Sequence, residues 1–105
     1  MKIEVFHHVD CSTPDKNGVY DYHYECDVYQ FTDGSVSVTA RSYDEDPEEA
    51  SFMSITIDGE WRGLELADLS NPVLIAAKAH FHANGKIDLK WFTGKSYEPL
   101  PCITT

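Results

Sequence analysis

Residues 70–85, SNPVLIAAKAHFHANG, carry the best helix signal in the chain and decide the fold class. Asn71 is a favourable N-cap, Pro72 suits the first helical position, and Asn84-Gly85 tolerates the left-handed conformation with which many helices end. Between these limits the apolar residues that recur at helical spacing are Val73, Leu74, Ala77 and Phe81. The sequence therefore predicts one amphipathic helix over about residues 71–84.

The segments on either side of this helix alternate in polarity as β-strands do. The candidate strands span residues 2–9, 19–31, 35–43, 51–57 and 87–91, with a short one around 60–64. Asp33-Gly34 and Asp58-Gly59 are dipeptides that two-residue hairpin turns prefer. Since one helix covers only one face of an antiparallel sheet, the predicted class is α+β with five or six strands. A small β-barrel with one helix is the alternative.

The aromatic stretch YDYHYECDVYQF, residues 20–31, is predicted to be one long, bent strand. We expect its even positions to point inward and its odd positions outward; the two sets are Tyr20, Tyr22, Tyr24 and Cys26, and Asp21, His23, Glu25 and Asp27. With Asp33-Gly34 as the central turn residues, Phe31 pairs with Val36 and Tyr29 with Val38, which turns odd positions inward near the hairpin. A β-bulge near Asp27 and Val28 would reconcile the two patterns.

The strand at 51–57 is predicted to present Met53, Ile55 and Ile57 on one face and Phe52 on the other. Between this strand and the preceding one, Asp46-Pro47-Glu48-Glu49 has the N-cap acid, proline and glutamate of a short helical turn. The acids would then lie where a helix N-terminus favours negative charge.

The chain has the size of one domain, residues 1–105, and is strongly acidic. Eighteen Asp and Glu against eight Lys and Arg give a formal net charge of −10. This charge repels phosphate backbones and anionic lipids and favours encounter with basic proteins. The chain has no window of about 18 apolar residues, and its three cysteines are widely spaced. We therefore expect a cytoplasmic protein with reduced thiols, a monomer or weak homodimer, that binds no nucleic acid or membrane directly.

Histidines and cysteines close in sequence raise the question of a metal site. His23 and Cys26 are three apart and point to opposite faces of a strand, while His80 and His82 lie about 200° apart on a helix. These spacings suit a four-ligand zinc site poorly, although a site assembled across strands from His8, His23 and an acid stays open. The sequence thus favours no metal, no cofactor and no catalytic residue.

Residues 42–61 hold seven acids and neither Lys nor Arg. A sheet face with acids beside tyrosine and tryptophan has the composition of a protein-binding surface, because aromatic side chains anchor and charge steers a basic partner. The partner-binding residues predicted on this basis are Asp44, Glu45, Asp46, Glu48, Glu49, Asp58, Glu60, Trp61, Tyr22 and Tyr43.

In size, negative charge and absence of catalytic motifs, the chain resembles the immunity proteins, small acidic inhibitors encoded beside bacterial toxins. The resemblance is one of composition. It implies a non-catalytic binding module that inhibits a toxin or nuclease domain by covering a basic surface.

Two alternatives accompany this hypothesis. One is a DNA mimic that blocks a nucleic-acid-binding protein, because rows of carboxylates can imitate phosphates. The other is a small enzyme or ligand-binding barrel, whose pocket would be lined by Tyr20, Tyr22, Tyr24 or Trp91 with His8 or His23 inside. In such an enzyme, Cys11 with His8 or His23 would be the nucleophile and base.

Overall fold

The computed structural model describes residues 1–11, 16–17 and 23–100, with only the backbone described at Asp10, Cys11 and His23. The strands are β1 (Lys2–Cys11), β2 (His23–Asp33), β3 (Val36–Tyr43), β4 (Glu49–Ile57), β5 (Glu60–Gly63), β6 (Asp88–Phe92) and β7 (Tyr97–Pro99). A short 3₁₀ helix, Leu66–Ser70, leads into the single α-helix α1, Pro72–Ala83. The α+β class is confirmed.

The seven strands form one open sheet in the order β1-β2-β3-β4-β6-β7. β5 and β6 share one edge of β4: β6 pairs with its first half, and β5 with its second half. Every pairing is antiparallel except that of β4 with β6, because the chain crosses over through α1 between these two strands. The sheet has edges at β1 and β7 and is therefore not the barrel that the sequence left as an alternative.

The predicted helix is confirmed at both ends. The Asn71 side chain accepts a hydrogen bond from the Val73 backbone at 2.9 Å, and Asn84 is the C-cap. All four residues of the predicted stripe are buried. Near the C-terminal end of the helix, Phe81 meets Tyr29, Phe31 and Phe52 edge-on, with ring centroids 4.9, 5.3 and 5.6 Å away. The helix thus fixes which face of the sheet is the core.

We call the face with Tyr29, Phe31 and Val38 the helix face, and the face with Tyr24, Arg41 and Tyr43 the open face. No element in the described part of the chain covers the open face. Tyr24 is 45% exposed there, so the prediction that it points inward with Cys26 is wrong, although Cys26 itself is buried. Tyr20, Tyr22 and Asp21 lie outside the described residues.

The first hairpin is shifted from its predicted register. Phe31 pairs with Val38 and Tyr29 with Ala40, so Gly34-Ser35 forms the turn in place of Asp33-Gly34. Gly34 has φ of 61° at the first central position, as a type II′ turn requires. A shift of two residues keeps every side chain on its face, because the side-chain period of a strand is two.

The predicted bulge in β2 is also wrong. The ladders on both sides of β2 run unbroken past Asp27 and Val28. The register changes instead in β4, where Thr39 pairs with Ser54 and Ala40 with Phe52, so that Met53 is the extra residue. Because of this bulge Phe52 and Ile55 both reach the core, and the prediction that placed them on opposite faces fails.

No described helix is long and apolar enough to cross a lipid bilayer.

Candidate protein-binding surface

Five strand ends bring eight acids together at one end of the sheet. β1 and β3 end there, and β2, β4 and β6 begin there. The described acids at this acidic end are Glu25, Asp27, Asp44, Glu45, Asp46, Glu48, Glu49 and Asp88. Lys90 and His7 contact carboxylates of this group, and Lys86 donates to the Pro47 backbone oxygen beside them. Acids far apart in sequence are thus concentrated into a negative patch.

The segment Asp44–Glu48, the acidic turn, connects β3 to β4 and is held by backbone contacts. Its backbone hydrogen bonds run from Asp44 N to Glu25 O, Asp46 N to Tyr43 O and Glu49 N to Asp46 O, at 2.9, 3.1 and 3.0 Å. Lys86 Nζ donates to Pro47 O at 2.9 Å. The segment forms two turns and not the predicted helical turn. Its backbone is fixed while its carboxylates remain exposed.

The carboxylates of the acidic turn form no salt bridge with a described Lys or Arg side chain. Among the described residues no Lys or Arg is within ion-pair distance of Asp44, Glu45, Asp46 or Glu48. Lys90 is engaged elsewhere, with Glu49 at 3.5 Å and Asp88 at 3.9 Å. Like charges this close together repel one another, so the turn attracts cationic groups from outside.

Two tyrosines of the open face stand beside the acidic turn. The rings of Tyr24 and Tyr43 meet edge-on with centroids 6.1 Å apart, and they are 45% and 38% exposed. Together with Glu45 and Asp46 they line a shallow cavity of about 220 Å³. A second acidic cavity of about 370 Å³ is lined by Asp46, Pro47, Glu48, Glu49 and Asp88. Tyr24, Tyr43 and the acidic turn therefore form one continuous surface, which we call the corner.

Arg41 supports this corner from the middle of the open face. Its guanidinium lies over the Tyr43 ring, 5.1 Å from the centroid, and its Nη2 donates to the Tyr97 hydroxyl at 3.0 Å. Such cation–π packing restrains the Tyr43 ring. Tyr43 is thus an exposed aromatic group with a limited set of orientations.

The predicted residues Asp58, Glu60 and Trp61 lie elsewhere. They follow β4, whose nine residues separate them from the acidic turn by roughly 26 Å at about 3.3 Å per residue. Trp61 is 72% exposed and borders a more apolar cavity of about 230 Å³ with Met53, Leu64 and Phe92. The ten predicted residues therefore form two groups at opposite ends of the sheet, with Tyr22 outside the described residues.

His7, which is not among the predicted site residues, lies on the helix face at the acidic end. Its Nδ1 is 3.0 Å from Asp27 Oδ1 and its Nε2 is 3.5 Å from Glu25 Oε1. The hydrogen bonds with Asp27 and then Glu25 raise the pKa of His7 above 6.5, and the charge of Asp44 acts in the same direction. The imidazolium form is therefore favoured as the local counter-charge.

His7, Asp27 and Asp44 also form the one group of possible metal ligands found in the described part of the chain, with ligand atoms within 4.8 Å of one another. This is one imidazole and two carboxylates, short of the four protein ligands of a structural zinc site. The set of His8, His23 and an acid, which the sequence left open, falls partly outside the described residues, because only the backbone of His23 is described.

The other candidate residues form no common site among the described side chains. Cys11 and His23 are paired by register, but their side chains lie outside the described part. His80 packs edge-on against Phe31 at 5.7 Å, while His82 is exposed. Trp91 is buried in the core.

Sequence reasoning missed Arg41, Tyr97 and Asp88 as members of this surface. Arg41 and Tyr97 meet across 56 positions in the chain, and Asp88 reaches the acidic turn only because β6 pairs in parallel with β4. No local pattern contains this information. For Tyr24 a signal is present, since it stands beside Glu25 in a tyrosine-rich strand, but the alternation of that strand predicts a core position for it.

Comparison of the chain with models of protein families, with curated proteins and with solved structures found no match.

Proposed function

We propose that this protein is a non-catalytic binding module that inhibits a basic partner protein, such as a toxin or nuclease domain, by covering its cationic surface with the acidic end. The observation that carries the proposal is the corner formed by Tyr24 and Tyr43 beside the acidic turn. Exposed tyrosines bury large area with little loss of side-chain entropy, and adjoining acids select and steer a basic surface.

The fixed backbone of the acidic turn supports this function. Since four hydrogen bonds already hold the backbone of the turn, binding requires little further ordering, and preorganised loops lose less affinity to entropy. The carboxylates repel one another in the free protein, and a partner's Lys and Arg would relieve that repulsion. Both effects favour association of the acidic turn with a basic surface.

The test uses the whole chain as bait in the cell from which it comes, followed by mass spectrometry of the retained proteins. One variant carries Asp44→Asn, Glu45→Gln and Asp46→Asn. A matched control carries Asp33→Asn, Asp58→Asn and Glu60→Gln at the other end of the sheet, with the same change in net charge. We expect the wild type and the control to retain the same basic protein and the acidic-turn variant to lose it.

A double Tyr24→Ser, Tyr43→Ser variant tests the aromatic anchors separately. It should keep the salt dependence of association and lose most of the affinity, because the charges that steer the encounter remain. Retention of the partner by the acidic-turn variant, or equal loss in both charge variants, would contradict the proposal. A retained protein without a basic surface would contradict it too.

The DNA-mimic alternative is separated by competition. If duplex DNA displaces the captured partner at moderate salt, the acidic end occupies a nucleic-acid site, and the mimic hypothesis replaces simple inhibition. If DNA has no effect while charge neutralisation does, the partner surface is a protein-binding one.

A further inference from the structure

The outer edge of the sheet is formed by a long strand, β1, that has a neighbour on only one side among the described residues. β1 pairs with β2 through ten consecutive residues without a bulge, and its other side is free of any described element. Val5, Phe6 and Val9 are 52%, 50% and 46% exposed, and Ile3 is 38% exposed. Edge strands usually carry central lysines, prolines or bulges that prevent pairing with another chain, and β1 has only Lys2 at its start.

We infer that β1 pairs antiparallel with β1 of a second copy, so that two sheets join across a two-fold axis at Phe6. The axis stands perpendicular to the sheet, so the two helix faces continue into each other. Paired residues must therefore have the same parity, and the sum of their numbers must be even. This restricts the choice to a few registers around the middle of the strand.

The register centred on Phe6 is self-complementary. Phe6 faces its own copy, Ile3 faces Val9, and Val5 faces His7. Glu4 faces His8, and Lys2 faces position 10, an aspartate, so the charged pairs have opposite or compatible sign. Aromatic, apolar and opposite-charge cross-strand pairs all stabilise a sheet.

The neighbouring registers lack this match. Centring the axis on Val5 places Lys2 opposite His8 and Glu4 opposite Phe6. Centring it on His7 places Glu4 opposite Asp10, which are like charges. Charge complementarity therefore selects a second copy as the occupant and Phe6 as the centre.

The antiparallel arrangement also suits the charge of the whole molecule. The acidic end lies where β1 ends, so reversing the second strand directs the two acidic ends away from each other. Repulsion between two chains of formal net charge −10 is then as small as edge pairing permits. Each copy keeps Tyr24, Tyr43 and the acidic turn accessible, and the dimer presents two such corners at opposite ends.

The interface is small, since it involves a single strand from each copy, and the dimer should be weak and concentration-dependent. Sedimentation equilibrium of the full chain over a wide concentration range should show a monomer–dimer equilibrium. Phe6→Lys places two lysines across the axis and should abolish dimerisation, while circular dichroism shows that the variant is still folded. Ile87→Lys, which removes another highly exposed apolar side chain away from β1, is the matched control and should dimerise as the wild type does.

A charge swap tests the register. Glu4→Lys or His8→Glu alone should weaken the dimer about 2- to 30-fold, because each change affects two symmetric pairs of about 0.2–1 kcal/mol. The double variant should recover most of the loss. Residues 4 and 8 are too far apart along one strand to compensate each other within a monomer, so recovery is specific to the dimer.

A wild-type chain that stays monomeric at all concentrations overturns the inference. So does a dimer that Phe6→Lys leaves intact, or one in which the two charge changes add without recovery. These outcomes are independent of the partner-capture experiment, because the acidic-turn variant alters the β3–β4 connection and the Phe6 variant alters the middle of edge strand β1.

Discussion

Arg62 on β5 forms a bidentate salt bridge with Asp68 in the 3₁₀ helix. Nη1 donates to Oδ2 at 2.6 Å and Nη2 to Oδ1 at 2.7 Å, and the backbone N–H of Glu65 donates to the same Oδ2 at 2.7 Å. The Asp68 side chain is only 8% exposed. This pair ties the start of the helical layer to the sheet, and a buried carboxylate with three donors is a costly group to alter.

Replacing Asp68 by Ala should lower the free energy of unfolding by about 2 kcal/mol, because it leaves the Glu65 N–H and the Arg62 donors without their acceptor. The hydrogen bonds from Arg62 hold the pKa of Asp68 below 3.8. A lowered folded pKa stabilises the protein above the unfolded value of the carboxyl and loses that effect as pH falls through the folded one. In urea unfolding, the difference in free energy of unfolding between the wild type and Asp68→Ala should therefore become smaller below about pH 4. A difference independent of pH would contradict the assignment.

Phe81 joins the helix to the sheet through three aromatic contacts. It is fully buried among Tyr29, Phe31 and Phe52. Phe81→Ala should cost about 3–5 kcal/mol through the cavity it creates, and Phe81→Leu clearly less. Ile75 on the same helix is 50% exposed, so Ile75→Ala should change stability by no more than about 0.5 kcal/mol. Similar losses at residues 75 and 81 would show that the stripe is assigned wrongly.

The helix was predictable because all its signals are local. The cap at Asn71, the stop at Asn84 and the stripe that includes Phe81 are each read within one turn or two, and all three are confirmed. The same holds for the hairpin at Asp58-Gly59, where both residues have positive φ as expected. At the helix ends and at this hairpin, the local conformational preferences and the packing of the core favour the same structure.

The register of the first hairpin and the site of the bulge were not predictable, because neighbouring solutions satisfy the local rules equally. Both Asp33-Gly34 and Gly34-Ser35 can make a two-residue turn, and only the packing of Phe31 opposite Val38 distinguishes them. The exposed position of Tyr24 depends on which face α1 covers, which is a property of the whole fold. For the candidate surface, sequence supplied the acids of the acidic turn and Tyr43, while assembly of the corner required long-range pairing.

The bulge at Met53 makes a specific prediction about deletion. Removing Met53 gives a regular strand in which Ala50, Phe52 and Ile55 still reach the core, so the protein should fold with a modest loss of stability. Removing Ser51 instead places Ala50 and Phe52 on opposite faces, and should cost more than about 3 kcal/mol or prevent folding. Urea unfolding of the two deletion variants compares them directly. Equal effects would mean that the extra residue of β4 lies elsewhere.

The contacts of His7 at the acidic end should make the free energy of unfolding decrease as pH rises through the folded pKa of His7. The pKa of His7 is raised by Asp27 and Glu25, so its contribution is fully present below the unfolded value near 6.5 and is lost as pH rises through the higher folded value. An NMR titration of the His7 ring should give a pKa above 6.5 that falls in Asp27→Asn. Glu60→Gln, at the far end of the sheet, should leave it unchanged.

Melting temperatures measured between about pH 6 and 8 test the consequence of this titration. The wild type should lose stability across this window, and His7→Gln should lose less, because glutamine carries no charge at any of these values. A chelator in every sample excludes metal held by His7, Asp27 and Asp44 as the cause. If Asp27→Asn leaves the titration of His7 where it was, the hydrogen bond at 3.0 Å does not govern the charge of this imidazole.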